Sequence, residues 1–133
     1  MGGAGKKILI IDDEPDLTDV VEARLQRNGY QTCVASDGQE GLRLAKEIRP
    51  SLIILDLKLP KLAGLEVCRA IREDRDSTFG RTPFSYTPII MLTGKSDDVD
   101  RVIGNVLGAD HYFTKPFEPE VFLSKIKELL KEA

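Results

Sequence analysis

Histidine occurs once in the chain and cysteine twice, apolar runs are short, and neither sign of charge dominates. Each scarcity closes off a class of function. With one histidine, His111, and two well-separated cysteines, Cys33 and Cys68, the chain has no CxxC pair, no disulfide framework and no donor set for a soft metal. Both cysteines read as reduced, mostly buried packing residues. His111, inside a strand-like stretch, reads as packed or surface-exposed and not as a ligand. The apolar run near the start, Ile8 to Ile11, is far too short for a signal-peptide core or a membrane span, so a cytoplasmic protein without membrane contact is expected. The 19 Lys and Arg are dispersed among 22 Asp and Glu, for a net charge of -3. The basic face that supplies non-specific nucleic-acid affinity is therefore missing, and no direct contact with nucleic acid is expected.

What is present suits one globular domain. A chain of 133 residues, 41% hydrophobic and 31% charged, falls within the usual size and composition of a single soluble unit. Short β-rich runs alternate five times with amphipathic stretches, the pattern of an α/β fold whose parallel sheet is covered by helices. The strands are expected at Lys7–Asp12, Tyr30–Ala35, Leu52–Asp56, Ile89–Thr93 and His111–Thr114. The runs ILII, LIIL and IIML are apolar throughout, as strands buried on both faces must be, and should be central.

The first helix should begin at Pro15, bury Leu17, Val20, Val21 and Leu25, and end at Gly29. A capping box at Ser36–Gln39 opens the second, which buries Leu42, Ala45 and Ile48 before Pro50. The third runs from about Gly64 to Glu73 with Leu65, Cys68 and Ile71 inward. Ser96 caps a fourth, with Asp97 and Asp98 at its positive end. A fifth starts near Pro119 and presents Phe122, Ile126, Leu129 and Leu130. Residues 1–5, with glycines at 2, 3 and 5, look like a flexible leader to a domain over 6–132. The polar, breaker-rich stretch at 74–87 makes a long loop that also carries Phe79, Phe84 and Tyr86.

In an open parallel sheet, ligands bind beyond the carboxyl ends of the strands, where the winding reverses. Asp12, Asp13 and Glu14 follow the first strand, Asp56 ends the third, Thr93 ends the fourth, and Lys115 lies just past the fifth. Asp13 or Glu14 alone could be a helix cap, but Asp56 closes an apolar central strand, so its carboxylate lies near Asp12 and Asp13 at the bottom of a crevice. Like charges this close repel unless a cation neutralises them. Only oxygen donors are available, so a hard ion such as Mg²⁺ fits, held by carboxylates and a substrate phosphate. With a cation in place, Asp56 could act as a carboxylate nucleophile on a phosphoryl group. Lys115 could then supply positive charge and Thr93 a hydroxyl donor to the equatorial oxygens.

The motifs KILIIDDE at 7–14, LIILDLKLP at 52–60, PIIMLTG at 88–94 and GADHYFTKPF at 108–117 resemble the receiver domains of two-component response regulators. The resemblance covers about residues 6 to 131, apart from the insertion near 74–87. It implies a flavodoxin-like (βα)5 three-layer sandwich with strand order 2-1-3-4-5, close to the chemotaxis regulators. It also implies that the phosphohistidine of a sensor histidine kinase or phosphotransfer protein donates to Asp56. By the same token Asp12, Asp13 and Asp56 hold Mg²⁺ together with the backbone carbonyl of Lys58, and Lys115 contacts the phosphoryl oxygens. Thr93 and Tyr112 are the implied switch residues, and the Lys115–Pro116 bond should be cis. Further implied are no other cofactor, a switching face made of the fourth helix, fifth strand and fifth helix, and a downstream protein, attached output domain or second copy that reads it. Such a protein is a phosphoacceptor regulator that catalyses its own phosphorylation and dephosphorylation, and is not an enzyme acting on a separate metabolite.

Three features depart from the family pattern. Lys58 and Lys95 each lie two residues past a site residue, where added positive charge should slow hydrolysis of the acyl phosphate. Gly94, in place of a common alanine, leaves more room beside the phosphate. The third departure is the 74–87 loop. Other α/β readings fit less well: an aspartate-nucleophile phosphatase needs a second aspartate where Lys58 stands, and a flavin binder would not place acids where a phosphate-cradling loop belongs. A receiver that only docks, without phosphorylation, would not need the full set Asp12, Asp13, Asp56, Thr93 and Lys115.

Overall fold

A computed structural model of the chain describes residues 6–59, 61–73, 87–94 and 108–131. In chain order these form β1 (Lys7–Ile11), α1 (Pro15–Arg27), β2 (Gln31–Ala35), α2 (Gly38–Ile48), β3 (Leu52–Asp56), α3 (Gly64–Glu73), β4 (Ile89–Thr93), β5 (His111–Thr114) and a C-terminal helix, α4 (Pro119–Leu129). The helix expected from Ser96, the leader and the 74–87 loop apart from Thr87 lie outside the described residues.

The five strands form one parallel sheet in the order β2-β1-β3-β4-β5. The fully apolar runs do occupy its middle: β3 and β4 are buried at every position, and β1 at all but Lys7. Alternation along each strand then divides the core. Ile8, Ile10, Leu52, Ile54, Ile90 and Leu92 face α1 and α4, where they meet Val21, Leu25, Phe122 and Ile126. Leu9, Ile11, Ile53, Leu55, Ile89 and Met91 face α2 and α3, against Ala45, Val67, Cys68 and Ile71. Helices thus lie on both faces of the sheet, and its central strands are buried on both sides, in the flavodoxin-like sandwich.

Several local expectations shift for physical reasons. β1 stops at Ile11 because the Asp12 side chain turns back to accept from the Glu14 N–H at 2.9 Å, bending the chain into α1. Tyr30 is not in β2; its N–H closes the end of α1 on Leu25 O, just after Gly29 takes the positive φ of 89° that such an exit requires. Val20, expected inward, is 62% exposed, while Thr18 takes the buried position. The α2 cap is Asp37, whose side chain accepts from Glu40 N, one residue later than the expected box; Leu42 and Ile48 are only half-buried. Leu65 and Leu129 are also half-buried, and Val67 and Leu123 are buried beyond expectation. Cys33 is half-buried, Cys68 is buried, and both are free thiols.

At the amino end of the sheet, Arg72 of α3 bridges the entries to two strands. It donates to Thr87 O at 2.6 Å and Gly108 O at 2.8 Å and pairs with Asp110 Oδ2 at 2.7 Å. Asp110 Oδ2 in turn accepts from Ile89 N at 2.7 Å, locking the start of β4 to the start of β5. The register set there carries through to the far end, where Thr93 lies opposite Thr114 and Lys115 N donates to Thr93 O at 2.7 Å.

Candidate phosphoacceptor site

The parallel register brings the carboxyl ends of β1, β3, β4 and β5 to one edge. Asp56 is the last residue of β3, opposite Leu92, and the chain leaves β1 one residue after Ile11 pairs with Leu55. Asp12, Asp56 and Thr93 are buried, whereas Asp13 and Glu14 are exposed. Ligand oxygens of Asp12, Asp13 and Asp56 all lie within 4.8 Å of one another, with no histidine or cysteine among them. Burial of anionic oxygens this close together suits a hard divalent ion, so the donor set fits Mg²⁺.

Lys115 reaches into the same cluster. Its ammonium lies 2.7 Å from Glu14 Oε1, 3.0 Å from Asp12 Oδ2 and 3.5 Å from Asp56 Oδ1. The Asp12 contact is an ion pair without hydrogen-bond alignment, which leaves Asp12 Oδ2 buried with no hydrogen bond of its own. The backbone N–H of Lys58 donates to Asp56 Oδ1 at 3.4 Å, while the Lys58 side chain is exposed. Burial drives the Asp56 carboxyl up to about 6, helped by the charge of Asp12 and opposed by Lys115 and the Lys58 N–H. Burial also raises Asp12, against the Glu14 N–H and Lys115. For Lys115 burial works against the charged form, but the hydrogen bond it donates to Glu14 and the negative charges of Asp12 and Asp56 outweigh it and raise its pKa. The cluster therefore holds a committed cation beside a buried carboxylate that is reluctant to ionise without further positive charge.

Among the described residues, the buried Thr93 Oγ1 and Tyr112 hydroxyl find no hydrogen-bond partner, and burial raises the pKa of the Tyr112 phenol. Tyr112 packs on the α2 and α3 side of the sheet. His111 stands edge-on to Phe113, 5.0 Å between ring centroids, away from the acids. The Lys115–Pro116 bond is cis.

Two contributors were not apparent from residue types. Gly64, at the start of α3, lies so close to the end of β3 that a Cβ there would stand 2.2 Å from Asp56 O and 2.9 Å from Leu57 Cα, while its N–H bonds Leu57 O at 2.9 Å. Glu14, a possible cap by sequence, is the nearest carboxylate partner of Lys115 among the described residues. A glycine opening a helix two turns after a strand-end acid was the available signal for the first; nothing local marked the second. Beside Lys115 an apolar cavity of about 450 Å³ opens between α1 and α4, walled by Leu17, Val21, Phe117 and Phe122, and the three clustered aspartates do not line it.

Comparison with known proteins agrees with this arrangement. The profile of the response regulator receiver domain matches residues 8–127. The alkaline phosphatase synthesis transcriptional regulatory protein PhoP of Bacillus subtilis is 41% identical over 128 residues, covering 96% of this chain and 50% of PhoP. The chain thus spans about half the length of the curated relatives it matches. Among solved structures, the receiver domain of a signal transduction histidine kinase from Syntrophus aciditrophicus superposes with a TM-score of 0.84 at 34% identity, over 96% of this chain and 91% of that one. The receiver domain of sensor histidine kinase PA1611 from Pseudomonas aeruginosa gives 0.81 at 29% identity, over 97% and 100%. That structure is described with magnesium coordinated in the active-site cleft.

Proposed function

As the chain belongs to the response regulator receiver domain family, we propose that it accepts a phosphoryl group on Asp56 from the phosphohistidine of a sensor histidine kinase or phosphotransfer protein. The observation that carries this reading is a buried carboxylate ending the central strand β3, with Asp12 and Asp13 oxygens within 4.8 Å and the Lys115 ammonium at 3.5 Å. Asp12, Asp13 and Asp56, with the backbone carbonyl of Lys58, would hold Mg²⁺. When bound, the ion supplies the positive charge that lets the carboxylates and phosphoryl oxygens share one cleft.

The rest falls to the chain itself. An oxygen of the Asp56 carboxylate forms a bond to phosphorus as the phosphorus–nitrogen bond to the donor imidazole breaks, and that electron pair returns to the ring. Lys115 then pairs with a phosphoryl oxygen, and Thr93 Oγ1, buried and without a hydrogen-bond partner, donates to another. Tyr112 takes up the space behind Thr93, biasing the equilibrium between two packings of the segment 96–106, β5 and α4. A downstream protein, an attached output domain or a second copy reads that face. PhoP is described as a transcriptional regulator, but in our reading any contact with nucleic acid belongs to an output domain and not to this one. The domain acts in the cytoplasm, catalyses its own phosphorylation and slow dephosphorylation, and turns over no separate metabolite.

Incubation with acetyl phosphate and Mg²⁺ followed by intact-mass measurement tests the reading. One phosphate adduct per chain is expected, lost in Asp56→Asn. No adduct in the wild type would overturn the activity, and an adduct that persists in Asp56→Asn would overturn the site.

A further inference from the structure

Lys115 has more acid around it than a phosphate ligand needs. Of its three carboxylate partners the nearest is Glu14 at 2.7 Å, ahead of Asp12 at 3.0 Å and Asp56 at 3.5 Å. Glu14 occupies the N-cap position of α1 with the extended backbone of a cap (φ -101°, ψ 101°), and its carbonyl accepts from Thr18 N at 3.1 Å. Its side chain, however, makes no capping hydrogen bond. An acid at this position usually accepts from the first free N–H groups of the helix. Here the carboxylate leaves them and crosses to Lys115, 101 residues away in sequence.

Distances and exposure show what this contact does. The Lys115 side chain is 20% exposed and that of Glu14 59%, so Glu14 approaches the ammonium from the solvent side. Asp56 lies on the inner side, 9% exposed at its side chain. The ammonium is a compact point charge held at 2.7 Å by Glu14 on its outer side and 3.5 Å from Asp56 on its inner side, so drawing it inward to a strong anion at Asp56 lengthens and weakens the outer contact.

We infer that Glu14 is a positioning residue that holds Lys115 toward the mouth of the cleft and competes with the phosphoryl group for it. This rests on the proposed phosphorylation of Asp56 and adds a regulating element to it. In the unphosphorylated state Glu14 keeps the ammonium outward. Phosphorylation transfers the ammonium to the phosphoryl oxygens and releases the Glu14 carboxylate, which can then cap α1. The phosphorylation state is thereby communicated to the first turn of α1, next to the apolar cavity, as well as to β5.

Beryllofluoride with Mg²⁺, a stable mimic of an aspartyl phosphate, measures the competition at equilibrium by calorimetry. Glu14→Gln keeps the length and removes the charge, so it should bind beryllofluoride about two- to fivefold more tightly than wild type, the range carried by a partly exposed ion pair. The gain should vanish in a Lys115→Ala background, because Glu14 acts through Lys115. A gain that persists there would mean a general field effect and overturn the inference, as would equal or weaker binding by Glu14→Gln. Should Lys115→Ala bind too weakly to measure, side-chain ¹⁵N NMR of metal-free protein decides: the Lys115 ammonium signal should shift in Glu14→Gln, and an unmoved signal overturns the inference. Absence of beryllofluoride binding by wild type, or its persistence in Asp56→Asn, would instead count against Asp56 as acceptor.

Discussion

Replacing Asp56 by asparagine should make the metal-free protein more stable, although it removes the proposed acceptor. The Asp56 carboxyl is raised from 3.8 to about 6, first by burial and then by the neighbouring charge of Asp12. A carboxyl whose folded pKa lies above its unfolded value costs no stability below the unfolded value; the cost accumulates as pH rises from the unfolded to the folded value and is constant above it. The shift of about two pH units, at 1.36 kcal/mol per unit, makes the ionised carboxylate unfavourable by about 3 kcal/mol near neutral pH. Asparagine has nearly the same shape, can accept from Lys58 N, and carries no charge. In urea titrations with a chelator present, Asp56→Asn should exceed wild type by up to about 3 kcal/mol at about pH 8, and the difference should disappear toward about pH 4. Added Mg²⁺ should stabilise wild type more than the variant and narrow the gap. A variant no more stable than wild type at the upper pH, or a gain independent of pH, would refute the electrostatic account of the cleft.

Gly64→Ala should destabilise the chain by about 1–3 kcal/mol and slow phosphorylation from acetyl phosphate, because its new methyl group meets the backbone of Asp56 and Leu57, which cannot yield as a side chain would; normal stability and rate would show that the α3 start does not constrain the acceptor loop. Arg72→Ala leaves Thr87 O, Gly108 O and the Asp110 carboxylate short of a cationic donor, and a loss of about 1.5–3 kcal/mol in denaturant unfolding is expected, with hydrogen exchange faster at the entries to β4 and β5. Unchanged exchange there would mean that the bridge does not couple the two strands. Lys58→Asn or Lys95→Glu should shorten the lifetime of the phosphorylated protein, followed by intact mass after donor removal. Decay as slow as in wild type would show that neither cation shields the acyl phosphate.

Much of the architecture could be read from local pattern because the physics of burial is itself local. A strand covered on both faces must be apolar at every position, and LIIL and IIML are; hence the spans expected for β3 and β4 agree with the structure to the residue. Boundaries moved where a polar side chain rewrote the backbone, as Asp12 does at the end of β1, or where helix rotation decided burial, as for Val20 and Thr18. The segment carrying Lys95 and the helix expected from Ser96 lies outside the described residues, so what is expected of it stands on the sequence alone.

The sequence by itself determined the sheet-and-helix alternation, the central strands, and the set of acids and cations able to meet at the strand ends, because each depends on the character of residues over a few neighbouring positions. Only the tertiary structure decided how that set divides its work. Asp12 and Asp13 are adjacent in the chain, yet one is buried and the other exposed. Glu14 and Lys115 are 101 positions apart, yet form the shortest ion pair of the cleft. Depth and partner choice follow from the parallel register that brings β1, β3 and β5 to a common edge, a property of the packed sheet that no single segment contains.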